Sequence, residues 1–151
     1  MTTYTVTSND TLVLNGNVFN DLATDDVTTI TFPNDLVNMK TGKNGNTIMA
    51  QNQQGFNANL ALRVMRGSTD DQVLESILAA SLNDFPSTAL LAGSFVKRLG
   101  DGQGNVINDV YTLAGGVISK MVEGKENVGG DVMQAEAVYN IKFANAVRVI
   151  Q

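Results

Sequence analysis

The sequence predicts a mainly β fold, a β-sandwich or barrel with one packed α-helix near residues 69–83 and a long polar hairpin arm. Three observations predict it. Asn and Val occur 17 times each and Thr and Gly 14 times each, against 2 Pro, 4 Glu and no Trp. Val and Thr suit pleated, half-buried surfaces and Asn and Gly suit turns, while scarce Glu leaves little material for exposed helices. Most apolar residues recur at period two, and a single segment switches to helical spacing. With 151 residues and no change in composition along the chain, residues 1–151 form one domain.

The elements follow in order. Tyr4-Thr5-Val6-Thr7 and Leu12-Val13-Leu14 read as short strands; Asn15-Gly16 is a hairpin turn, and Val18-Phe19 returns. Val27 to Phe32 alternates, with Thr28, Ile30 and Phe32 on one face. Residues 38–55 are the most polar and glycine-rich stretch, either a surface loop or a hairpin arm turning at Asn44-Gly45. From Phe56 to Arg66, Ala58, Leu60, Leu62 and Val64 share one face and Asn57, Asn59 and Arg63 the other, as only a strand keeps them apart.

The period then changes. Ser68-Thr69-Asp70-Asp71-Gln72 is a helix start, with Thr69 to Gln72 as a capping box and the aspartates at the positive helix end. Val73, Leu74, Ile77, Leu78 and Leu82 make its apolar face, ending near Asn83 before Pro86. Leu60, Leu62, Val64, Leu74, Ile77 and Leu78 are expected to share one core. Strands resume at Leu90 to Leu99 and Val106 to Leu113, joined by the turn at 100–105. Gly115-Gly116 marks a bulge before Val117 to Val122, and residues 123–130 form a polar connection. In the closing stretch Met133, Ala135, Ala137, Tyr139, Ile141, Phe143, Val147 and Val149 share one parity. Gln134, Glu136, Asn140, Lys142 and Arg148 take the other, and Asn145 breaks the apolar row at a bulge or bend.

Composition also excludes chemistry. No Cys removes disulfides and thiolate sites; no His removes the commonest general base and every Ser-His-Asp arrangement. A net charge of −5 argues against general nucleic-acid affinity, and no apolar run approaches a membrane span. Met1 to Thr5 lacks the basic region and apolar core of a signal peptide, so the chain is expected to stay in a cytoplasm or in a particle assembled there. Asp101 to Asn105 with Asp109 fails as a calcium loop, because Val106 and Thr112 stand where Gly and Glu are needed. Gly42-Lys43 is no phosphate loop, since Asn44 follows. Asp25-Asp26 and Asp70-Asp71 are adjacent, but strand neighbours face opposite sides and Asp70-Asp71 is accounted for by the helix start, so neither makes an acid–base pair. Neither catalysis nor a cofactor nor a metal is expected.

The run Gly42-Lys43-Asn44-Gly45, then Gly55-Phe56-Asn57-Ala58-Asn59-Leu60-Ala61-Leu62-Arg63-Val64-Met65, then the helix from Asp71 to Leu82, resembles phage tail-tube structural proteins. Glu136 to Phe143 is similar to that family's closing strand. The resemblance covers roughly residues 4 to 150. It implies a virion component without enzymatic activity, whose copies form hexameric rings stacked into a hollow tail tube through which DNA passes. It implies strands shared between neighbours in a continuous inner barrel, and contacts with tail sheath, baseplate and tail-terminator proteins. Assembly would take place in the host cytoplasm, without membrane anchoring or specific DNA binding. On this reading the arm contacts the next ring through Lys40, Lys43, Asn44, Asn46, Ile48 and Met49. Two other readings compete: a monomeric β-sandwich ligand-binding module, disfavoured by only 6% aromatic residues, and a tube protein of a phage-derived secretion or bacteriocin system.

Overall fold

The structure, a computed structural model, describes residues 3–23, 27–124, 126 and 128–151. The Asp25-Asp26 pair, positions 125 and 127 of the polar connection, and the Met133 side chain lie outside what is described. Seven strands make one antiparallel sheet: β1 (Thr5–Leu14), β2 (Asn17–Phe19), β3 (Thr28–Thr31), β6 (Ala58–Met65), β7 (Leu91–Gly100), β8 (Val106–Ile118) and β9 (Glu136–Ile150). Their order is β2-β1-β7-β8-β9-β6-β3. Among the described residues two further strands, β4 (Val37–Thr41) and β5 (Thr47–Gln51), pair only with each other, and the α-helix α1 (Thr69–Asn83) follows β6.

The fold is therefore mainly β with one packed helix, as expected, and of the expected sandwich or barrel the strands form a single curled sheet. Three residues past the end of β2, Leu22 forms a bridge with Val64 on β6. Around it Met65 N–H donates to Asp21 O (2.8 Å) and Ala23 N–H to Arg63 O (3.1 Å). Three residues span about 10 Å, so one end of the sheet is brought round to meet the other. The enclosed face holds the core. Ala58, Leu60, Leu62 and Val64 lie directly opposite Phe143, Ile141, Tyr139 and Ala137, and all eight are buried.

The helix closes this face. Its N-cap is Ser68, one residue earlier than the sequence suggests, whose Oγ accepts from Asp71 N–H. Leu74 and Leu78 are buried, and Val73 and Ile77 pack against the core. Leu82, assigned to the same face from its spacing, is 65% exposed. At 3.6 residues per turn it stands about 80° round from Leu74, while the stripe that meets the sheet runs through Asp70, Leu74, Leu78 and Ser81, all buried.

Several strands differ from their expected bounds. The first two segments form one strand, β1, with extra residues between Val6 and Asp10 relative to β7. Asn15 and Gly16, both at positive φ (51° and 80°), make the expected two-residue hairpin turn. β8 is continuous through Gly115-Gly116. Between Leu113 and Gly116 it holds one more residue than β7 does between Gly93 and Leu91. Gly115 adopts φ 67°, and a Cβ there would lie 2.9 Å from that of Ala144 on β9.

The irregularity at Gly115 and Ala144 reverses which side chains face the core. On β9 the buried positions run Ala137, Tyr139, Ile141, Phe143 and then Ala146. Val147 and Val149 therefore do not continue the face of Phe143; they are 41% and 45% exposed on the opposite side. Arg148 stands instead on the core-side face, registered with Tyr111. Asn145 does mark the break, and the strand passes through it.

Candidate functional site

The arm is the hairpin β4–β5. Thr41 and Thr47 close its ladder, their hydroxyls 3.1 Å apart, and a turn over residues 42–46 follows with Gly45 at φ 87°. Lys40 is opposite Ile48 and Met39 opposite Met49; Lys43, Asn44 and Asn46 occupy the turn. All ten strand residues are exposed, with Ile48 at 75% and Met49 at 70%. Because the ladder alternates, Met39 and Met49 lie on one face and Ile48 and Ala50 on the other. Both faces thus present apolar side chains to solvent. A lone two-stranded hairpin is marginal in water. From position 36 to 69 the chain has four basic residues and no acidic one. The surplus negative charge therefore resides entirely on the rest of the chain.

A second surface lies above the core. β2 covers only Leu12 to Leu14 of β1, and β6 covers β9 only as far as Phe143. Among the described residues no strand lies beyond β1 over Thr5, Val6, Asp10 and Thr11, or beyond β9 over Ala146 to Ile150. The upper parts of β1, β7, β8 and β9 thus form a four-stranded extension with no strand paired at either edge, and a cavity of about 500 Å³ separates Ala146 to Arg148 from the arm base at Leu36, Gly55 and Phe56. Tyr4, Val6, Val106, Val147, Val149 and Ile150 are exposed apolar residues on it.

Charges cross this extension in a row. Asp10 is opposite Lys97, with Nζ and Oδ1 3.3 Å apart, and Lys97 is opposite Asp109. Arg148 grips Asp109 with two parallel bonds, Nε to Oδ1 at 2.8 Å and a terminal nitrogen to Oδ2 at 3.0 Å. That pairing holds the Arg148 guanidinium above its ordinary pKa.

A third feature is a groove of about 810 Å³ between α1, residues 122–124 and 126, and the start of β9. It gathers all four glutamates of the chain, Glu75, Glu123, Glu126 and Glu136, with Asp71 and Arg66. Much of this set is structural. Arg66 pairs with Glu126. Asp71 accepts Gly67 N–H at one oxygen (2.8 Å) and the Tyr139 hydroxyl at the other (2.5 Å). Neighbouring Asp70 turns inward to accept Asp21 N–H (2.7 Å), tying the helix start to the sheet closure.

Burial and then the carboxylates of Asp71 and Glu75 push the Tyr139 hydroxyl well above its usual pKa. Its folded value lies above its unfolded value of about 10, so its contribution is complete below pH 10 and declines as pH rises beyond it. Tyr139→Phe is expected to cost about 1–3 kcal/mol at neutral pH and to flatten the alkaline fall in stability. Chemical denaturation at pH 7 and pH 11 checks both.

The turn at 101–105 is as expected. Asp101 accepts the backbone N–H of Gln103 (2.7 Å) and the Asn105 side-chain amide (2.8 Å). These bonds, the Asn105 amide first, hold its carboxyl below the usual range. Among the described residues no group of three or more acidic, His or Cys side chains is placed to hold a metal ion, and no helix is long and apolar enough to cross a membrane.

The structure brings the six arm residues together at one hairpin and leaves Leu82 out of the core. The charge row and the Tyr139–Asp71 bond were missed by sequence reasoning. Asp10, Lys97, Asp109 and Arg148 come from four strands far apart in the chain, and periodicity carries no sign of it. A search against protein-family models gives no match, and no curated protein matches the chain.

Proposed function

We propose that this chain is a structural subunit of a phage-type tail tube, self-assembling into hexameric rings that stack into a hollow cylinder for the passage of DNA. The observation that carries this reading is the four-stranded extension with no strand paired at either edge. Successive strands in it alternate in direction, so β9 of one copy runs antiparallel to β1 of the next. Such a head-to-tail contact uses two different surfaces, and repeated by rotation it closes a ring. Closure removes the open edges and covers the exposed apolar residues beside them.

The arm supplies the second direction of assembly. Its exposed apolar faces and its lysines suit a neighbouring ring whose body is acidic. The same acidic balance suits a channel that repels DNA phosphate rather than binding it. The ring number, the virion tail as location, assembly in the host cytoplasm, and sheath, baseplate and terminator proteins as partners rest on the family resemblance. So does the absence of enzymatic activity.

Electron microscopy of the purified protein, with light scattering across a concentration series, tests the reading. Rings or tubes are expected. A monomer at every concentration would sink it.

A further inference from the structure

We infer that β9 of one copy pairs with β1 of the next in a single register, Arg148 opposite Asp10, so that the charge row runs unbroken around the ring. The inference rests on the ring reading above and names how its subunits meet.

The row reads Asp10, Lys97, Asp109, Arg148 across β1, β7, β8 and β9. It begins with an anion at one open edge and ends with a cation at the other. Placed head to tail, each Arg148 meets the Asp10 of the next copy and the alternation of sign continues. Both side chains have capacity left. Arg148 spends two of its five donors on Asp109. Asp10 faces Lys97 through its buried Oδ1, and the rest of its side chain is part-exposed.

Backbone parity fits the same register. Gln151 and Asn108 exchange both of their backbone bonds (2.8 and 2.9 Å). By alternation along an antiparallel strand, the N–H and C=O of Arg148 and Ile150 point away from β8, to the open edge. On β1, Asn15 N–H donates to Ala92 O (2.8 Å). The backbone groups of Leu14, Leu12 and Asp10 therefore point away from β7, to the side that β2 partly covers. Arg148 and Asp10 thus each offer a donor and an acceptor outward, with their side chains on the same face. β2 sets the limit, because it occupies the edge from Leu12 onward, and pairing that starts at Thr11 leaves it in place.

This register puts Val147 directly opposite Thr11 of the next copy. Both are exposed, on the face away from the charge row. The chain has no cysteine, so a disulfide can report the contact while Asp10 and Arg148 stay intact. The opposed pair would have Cα atoms about 4.5 Å apart, within the roughly 4.4–6.8 Å a disulfide spans. Within one copy the two positions are three strand spacings apart, about 14 Å, too far to bridge.

The test is mild oxidation of T11C/V147C under assembling conditions, followed by denaturing electrophoresis. The unmodified protein is imaged for rings, and T11C/V149C serves as the register control, its pair displaced to about 7–8 Å. A ladder of covalent oligomers from T11C/V147C and not from T11C/V149C is expected. Melting curves of the reduced variants that match the unmodified protein exclude misfolding as the source of the ladder. Rings without this ladder, or a ladder from the control alone, would overturn the register and leave the ring reading standing. A monomeric unmodified protein would overturn both.

Discussion

Leu74→Ala is expected to lower the free energy of unfolding by about 2–5 kcal/mol. Leu82→Ala, on the same helix, is expected to change it by less than ~0.5 kcal/mol. Leu74 is fully buried where the helix meets the sheet, and truncation leaves a void that rigid strands cannot collapse to fill. Leu82 already stands in water. Denaturant titration of the two variants separates them, and equal losses would mean that the helix presents a different face. The comparison is informative because spacing alone ranks the two leucines together.

Removing residues 41–47 is expected to leave a folded subunit that no longer makes tubes. Lys40 and Ile48 are directly opposite one another in the hairpin, so joining them makes the pair a tight turn between Met39 and Met49, with the strain confined to the arm. No residue of the seven-stranded sheet or the helix is touched. The thermal midpoint should be nearly unchanged, and rings should persist because the edges of β1 and β9 remain. The turn with Lys43, Asn44 and Asn46 is lost, and with it the reach to a second ring. Tubes of normal length from the shortened protein would reduce the arm to a surface loop.

Much of this fold is legible in the sequence, and the limits are physical. β6 is read correctly because one face is buried along its whole length, so alternation in the sequence maps onto burial. The helix is read because its capping residues and apolar stripe are local. The arm is legible as a segment from Asn44-Gly45, although only the structure shows that both of its faces carry apolar residues into water. β9 is misread past Phe143, since period two assumes an uninterrupted pleat. The break at Gly115 and Ala144 shifts both strands together, and half of that cause lies on a strand some thirty residues away. Composition leaves sandwich and barrel open, because a curled sheet and a sandwich need the same residues. The charge row is invisible for a similar reason: its four members become neighbours only through strand order.

The irregular stretch of β1 between Val6 and Asp10 has a consequence for the subunit's life before assembly. On the tube reading proposed above, a newly made copy circulates with its edges uncovered, among other copies and unrelated nascent chains. A flat edge would accept any extended segment in any alignment. Extra residues in β1 relative to β7 bend the strand and interrupt the regular spacing of outward donors and acceptors. A casual strand then finds only a short run to grip, next to the part-exposed Asp10 carboxylate, which penalises an apolar arrival. On that reading, the same kink that makes this edge poor at random aggregation leaves it competent for a second copy shaped to it, so resistance to random pairing and selectivity in assembly would have one origin.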